Sequence, residues 1–163
     1  MSDADEPTVH RNVARVIEAG ALLGVAVEPV RFPEGTKTAV DAANAIGCDV
    51  GQIVKSLIFA VDGAVVLAYV SGANQLDEAK LAAAADGSAC SRVDADTVRA
   101  ATGFPIGGVP PFGSEPQLRT FVDPDLLAYD EVWAAAGTWH DVFALSPADL
   151  VRASGGLVAD LKR

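Results

Sequence analysis

Two short segments hold the residue types that could do chemistry. Gly107-Gly108-Val109-Pro110-Pro111-Phe112-Gly113 combines glycines, which let a ligand approach the backbone closely, with prolines, which freeze its path. A stiff turn that presents N–H groups to a cavity is what a developing oxyanion requires. Gln52-Ile53-Val54-Lys55-Ser56-Leu57 sets one lysine in an otherwise apolar strand. An unpaired buried ammonium is costly, so Lys55 must reach water, a carboxylate or a ligand. Each segment has a plainer reading: a lysine snorkelling from a strand end, and a loop that only turns the chain. Together they predict a pocket that stabilises negative charge with neither a nucleophile nor a metal.

Other chemistries find little support. The chain has two cysteines, Cys48 and Cys90, far apart and outside any CxxC pair, so two free thiols are expected. With His10 and His140 as the two histidines, no metal-ligand cluster has useful spacing, and neither a metal nor a cofactor is expected. There is no GxSxG elbow and no phosphate loop of the GxGxxG or GxxxxGK[ST] type. The acidic pairs Asp77-Glu78, Asp94/Asp96 and Asp123/Asp125 read as helix starts and turns. No apolar run approaches a membrane span, and the acidic start, Met1 to Pro7, lacks the basic lead of a secretory signal, so the cytoplasm is expected. A net charge of −10 works against nucleic-acid binding unless Lys and Arg gather in a local rim. Lys37, Arg92, Arg99 and Arg119 are candidates for one around Lys55.

The elements that must position these residues follow from pattern. At 163 residues, half of them hydrophobic, the chain reads as one domain over 1–163, with 1–8 flexible. Apolar spacing predicts a helix over 9–23 and a strand over 27–32. Thr38 is the expected N-cap of a helix through Ala45 that Gly47 closes. Residues 54–61 and 64–71 flank Asp62-Gly63, a strong hairpin signal. Centring the turn there pairs Phe59 with Val66, Leu57 with Ala68 and Lys55 with Val70, which leaves Lys55 at the open end near Ser71-Gly72. Both faces of 53–60 are largely apolar, so this strand is expected to be covered on both sides.

Further on, a helix over 76–85, a strand over 89–93, and a helix capped by Asp94 or Asp96 and ended by Gly103 precede the Gly/Pro loop, 104–113. In that loop Phe112 is expected as a core anchor. Strands over 118–122, 142–145 and 157–160, a loop over 134–141 and a helix opened by Ser146-Pro147 complete the pattern. Strands and helices mix without a βαβ repeat. The fold class is therefore α+β (mixed α/β), a mainly antiparallel or mixed sheet surrounded by helices.

In order along the chain, these residues resemble the YbaK/prolyl-tRNA editing family, related to the insertion domain of bacterial prolyl-tRNA synthetases. The resemblance runs from about Thr38 to Leu150. It rests on Thr38-Ala39 with Ala42-Ala43, Gln52 to Leu57, Leu76-Asp77 with Lys80-Leu81-Ala82, and Thr102-Gly103-Phe104. Ile106 to Gly113, Val122-Asp123 with Leu126-Leu127, Gly137, and Leu145 to Leu150 complete it.

It implies a deacylase that hydrolyses the ester between a wrong, small amino acid and the 3′-terminal adenosine of a tRNA, with the tRNA for proline as the expected one. The substrate's 2′-hydroxyl would assist, and prolyl-tRNA synthetase is a possible partner. On this reading Lys55 orients the terminal adenosine or its phosphate, and backbone N–H groups around Gly107 and Gly108 line the scissile carbonyl. Pro110, Pro111, Phe112 and Gly113 shape the pocket, Phe32 and Thr38 supply its wall, and Gly137 and His140 complete the substrate-binding set. Cysteine-type members carry Ser-Gly-Gly-Lys-Arg-Gly where this chain has Ala135-Ala136-Gly137-Thr138-Trp139-His140. The serine and both basic residues are missing, so cysteine specificity does not carry over. A non-catalytic module that kept the pocket, or an esterase of some small non-tRNA substrate, remains the competing reading.

Overall fold

The computed structural model describes residues 10–36, 38–114 and 116–163. The expected flexibility of 1–8, the start of the first helix at Val9 and the place of Lys37 in a basic rim lie outside these residues. Among the described residues five α-helices and two sheets pack around shared cores, an α+β arrangement as expected. The helices are α1 (Arg11–Leu22), α2 (Ala39–Ile46), α3 (Glu78–Ala84), α4 (Ala95–Thr102) and α5 (Pro147–Ser154). The strands are β1 (Val30–Arg31), β2 (Val54–Val61), β3 (Ala64–Ser71), β4 (Cys90–Arg92), β5 (Thr120–Val122), β6 (Val132–Thr138), β7 (Asp141–Leu145) and β8 (Leu157–Val158). No helix among the described residues is long and apolar enough to cross a membrane.

Helix ends follow local chemistry. The Thr38, Asp94 and Ser146 side chains accept from the N–H three residues on, at 3.0, 2.7 and 3.1 Å, so of the two aspartates offered as a cap it is Asp94 that serves. Each satisfies one donor that the first helical turn leaves unpaired. The 27–32 and 157–160 segments pair over only two residues each.

The larger sheet is mixed, in the order β4-β2-β3-β5-β8, with β5 and β8 parallel to their neighbours and the remaining pairs antiparallel. The smaller, antiparallel sheet has the order β1-β7-β6. A single bridge between Ile53 and Trp133 connects the two. The register of β2 on β3 is that of a turn centred on Asp62-Gly63: Phe59 faces Val66, Leu57 faces Ala68 and Lys55 faces Val70.

This hairpin separates two cores. Val54, Ile58, Leu67 and Tyr69 face one shared with α1, β6, β7 and α5, while Phe59, Val61, Val66, Ala68 and Val70 face one shared with α3 and Phe121. Coverage on both sides buries the middle of the hairpin and leaves its turn exposed and its open end, Lys55 to Leu57, partly accessible.

One expectation is overturned. Residues 134–141 were expected as a loop, but Val132–Thr138 is a seven-residue strand paired to β7, with a register shift between Ala135 and Thr138. Its alanines and Gly137 carry little strand propensity. They are small because β6 packs directly beneath α1, where Gly137 lies against Asn12 and its carbonyl oxygen accepts from the Asn12 side-chain amide at 3.1 Å. Tertiary packing decides here.

The hairpin register rests on a turn in which Asp62 and Gly63 have φ of 50° and 86°. Gly63→Ala is expected to destabilise the protein by about 1 kcal/mol, because an L side chain resists that dihedral. Urea denaturation at constant m-value measures it.

Candidate functional site

A cleft of about 480 Å³ opens where the two sheets meet. Lys55, Ser56 and Leu57 of β2 form its floor, Thr38, Ala39 and Ala42 one side, Ile106 and Gly107 another, and Trp133 to Ala135 of β6 the back. A neighbouring cleft of about 520 Å³ shares Lys55, Ser56, Leu57 and Ile106 with it and continues toward Gln75, Arg92 and Arg163. Lys55 therefore stands on the ridge between two recesses.

The ammonium of Lys55 is half-buried and held. It donates to the carbonyl oxygen of Asn74. Asn74 in turn donates its side-chain amide to Asp123 and Asp125, both at 2.8 Å. Asp123 is fully buried and also accepts from the N–H of Ser71 at 3.1 Å. The Ser71–Asn74 turn is thus pinned from beneath by one carboxylate, and the turn holds the lysine. Burial pushes the Lys55 ammonium below its ordinary range, and the charge of Asp123 opposes that shift. An ammonium has three donors, so after Asn74 two are left for a ligand or water.

The glycine–proline loop is fastened to the hairpin that carries Lys55. Ser56 donates its hydroxyl to the Val109 carbonyl at 2.7 Å, and the buried Tyr69 hydroxyl donates to the Pro110 carbonyl at 2.7 Å. Burial pushes the Tyr69 phenol up, so it stays a donor. Phe112 is buried and lies 5.8 Å from the Phe143 ring, centroid to centroid, as an anchor in the core. Pro110, Pro111 and Phe112 do not reach the cleft; they fix the loop from within.

Gly107, with φ of 82°, lines the cleft, and its N–H donates to no group among the described residues. Gly108 differs. Its N–H closes a turn on the Pro105 carbonyl at 2.9 Å, so as an oxyanion donor it is corrected: that hydrogen bond already occupies it.

Of the other residues expected here, Thr38 lines the cleft beside its capping role. Phe32 and His140 are joined instead to one another: the Phe32 N–H donates to the His140 carbonyl at 2.7 Å, and His140 Nδ1 lies 3.1 Å from the Phe32 carbonyl. Neither lines the Lys55 cleft. Gly113 packs on Phe104 and Ala19, and Gly137 on Asn12, both away from it. Both thiols are free, and burial raises them, with Asp49 acting further on Cys48 and Glu78 on Cys90. Neither is an activated nucleophile. Among the described residues no group of three or more His, Cys, Asp or Glu side chains is placed to hold a metal ion.

Residues 33–153, the stretch that builds both walls of this cleft, match the aminoacyl-tRNA editing domain family. The chain belongs to that family. A crystal structure of a candidate trans-editing enzyme for prolyl-tRNA synthetase superimposes on the editing domain with a TM-score of 0.90 at 41% identity, covering 96% of this chain and 99% of the other. The Ser/Thr-tRNA deacylase ProXp-y of Escherichia coli is 30% identical over 122 residues, 72% of this chain and 73% of its own length. The proline–tRNA ligase of Maridesulfovibrio salexigens is 32% identical over 116 residues, 71% of this chain; the match spans only 20% of that ligase.

Lys55, Gly107 and Thr38, expected together from the sequence, all line this cleft, but the sequence reading missed what steadies the lysine in the editing domain. Asn74 and Asp123 are 49 residues apart, and each reads locally as a turn residue. Arg119 was a candidate for a rim around Lys55; it is engaged elsewhere, by the Ala85 carbonyl at 2.9 Å and Asp86 at 3.3 Å. Arg92 does lie in the recess next to Lys55.

Two outcomes follow from this geometry. Asp123→Asn removes the charge that supports the ammonium, so Lys55 should titrate lower still, read by NMR of its side-chain carbons. Gly108→Val should unfold the loop rather than block the carbonyl, because a Cβ there would lie 2.9–3.0 Å from the backbone of Gly137 and Thr138. A melting temperature equal to wild type would contradict that.

Proposed function

We propose that this editing domain hydrolyses the ester of mischarged aminoacyl-tRNA, acting in trans as one domain over residues 1–163 in the cytoplasm. The observation that carries this reading is the half-buried Lys55 ammonium, held by Asn74 on the floor of a 480 Å³ cleft, in a chain whose family edits aminoacyl-tRNA. The cleft is small and largely apolar at the back, where Ala134 and Ala135 leave room for a short side chain. Lys55 orients the terminal adenosine or its phosphate. The Gly107 N–H faces the charge that builds on the carbonyl oxygen.

Water adds to the ester carbon and the bond to the ribose 3′-oxygen breaks. The oxygen leaves with a proton, yielding free amino acid and an uncharged 3′ end. The vicinal 2′-hydroxyl assists by hydrogen bonding. An aminoacyl ester is already activated, so positioning and oxyanion stabilisation can supply much of the rate.

The trans-editing structure and the deacylase ProXp-y support this chemistry. We take a small amino acid on the tRNA for proline as the substrate, with prolyl-tRNA synthetase as the enzyme whose errors it clears. One methylene is worth only about 1–3 kcal/mol in such a pocket, so the choice among small amino acids is left to experiment.

Deacylation of Ala-, Cys-, Ser- and Pro-tRNA for proline at low salt tests the reading. Rapid loss of one non-cognate charge is expected, with Lys55→Ala reducing kcat/KM about 100-fold or more while melting as wild type does. Equal turnover by a folded Lys55→Ala protein would sink the mechanism. Hydrolysis of none of the four, with tight binding of a non-hydrolysable aminoacyl-adenosine analogue, would favour the non-catalytic module.

A further inference from the structure

A third recess, of about 450 Å³, lies across the β6–β7 hairpin tip from the Lys55 cleft. Arg11 and Arg15 of α1, Arg31 of β1 and Arg99 of α4 converge on it together with His10 and His140, and among the described residues no carboxylate lines it. This is a marked concentration of cation in a chain of net charge −10. Arg31 is paired with Asp141 at 2.8 Å, and Arg15 donates to the Gly103 carbonyl at 3.1 Å with its guanidinium 4.4 Å above the Phe104 ring. The Arg11 and Arg99 residues are exposed, and their guanidinium groups have no hydrogen-bonding or ionic partner among the described residues. Gathering guanidinium groups from three elements costs repulsion that an anion would relieve, and the planar donor fork fits phosphate oxygens.

Two further features match a nucleic acid. Trp139 is 38% exposed at the edge of this recess and stacks on His140, with centroids 5.5 Å apart at 26°, and an aromatic face beside arginines suits a base. The recess is also within reach of the other site. Pro105 lines it, while Gly107, two residues on, lines the Lys55 cleft. Two residues of chain span at most about 7 Å, so a strand leaving one recess can enter the other.

We infer that this arginine cleft binds backbone phosphates of the tRNA acceptor arm whose 3′ end occupies the Lys55 cleft. The inference rests on the aminoacyl-tRNA reading above. It also answers how so acidic a protein would hold RNA: four arginines are gathered on one side of the hairpin tip, in addition to Arg92 and Arg163 in the recess next to Lys55.

The test is fluorescence anisotropy with an uncharged RNA microhelix bearing the acceptor stem and single-stranded 3′ end, across a salt series. Arg11→Gln/Arg99→Gln is compared with Arg119→Gln/Arg152→Gln, a pair that removes the same charge from residues outside all three recesses. The first pair should weaken binding at least tenfold at low salt and make the slope of log K against log salt shallower by about 1.5–2; the second should stay near wild type. Equal weakening by both pairs would reduce the effect to net charge and overturn the inference, as would no weakening by the first. Inorganic phosphate should displace the microhelix only at concentrations far above the microhelix Kd. Displacement by phosphate at concentrations comparable to that Kd would make this a small-anion site and overturn the assignment to RNA. Wild-type deacylation without microhelix binding removes this inference alone, whereas absence of both removes the deacylase reading with it.

Discussion

An ammonium drawn halfway out of water has to be compensated, and the arrangement around Lys55 is built on that requirement. The open end of a buried hairpin is the one place where a lysine on this strand can be partly desolvated and still reach a ligand. Compensation comes in two steps, a carbonyl in contact and a buried carboxylate behind it. The carbonyl belongs to Asn74, and the carboxylate of Asp123 holds both the Asn74 amide and the Ser71 N–H. Asp123 sits just after β5, the strand that adds in parallel to β3. The larger sheet thus carries the lysine on one strand and its counter-charge beside another.

The same hairpin sets the position of the facing wall. Ser56 and Tyr69, on neighbouring strands, grip consecutive carbonyls of the glycine–proline loop. The prolines put those carbonyls where they can be gripped, because proline contributes an acceptor and no donor. Phe112 then drives the loop's far end into the core beside Phe143. A motif that reads in sequence as a ligand-contacting loop is in large part a structural rivet, with only Ile106 and Gly107 turned to the cleft.

What was legible in the sequence was what local chemistry decides. The Asp62-Gly63 turn fixed the register of β2 on β3 and therefore the place of Lys55; Thr38, Asp94 and Ser146 capped the helices they precede. What was illegible depends on distant partners. The strand through Ala134, Ala135 and Ala136 lacks propensity and exists because a helix and β7 leave space for small residues only. Asp123 reads as a turn residue, and nothing local says that it anchors a lysine 68 positions earlier through an asparagine. Pro110 to Gly113 were credited to the pocket because glycine and proline advertise a special backbone, but not which side of it meets solvent. His140, offered for the substrate-binding set, lies instead on the neighbouring arginine-lined surface.

The loop's fastening also bears on how size is judged. To widen the cleft between β2 and Gly107, the hydrogen bonds of Ser56 and Tyr69 to the loop would have to stretch or break, and leaving a buried carbonyl without its donor costs about 1–3 kcal/mol. The two walls therefore move as one stiff body. Under the proposed deacylation, a side chain too large for the cleft would meet elastic resistance from the loop's fastening, and the sharpness of discrimination would follow the stiffness of these two hydrogen bonds.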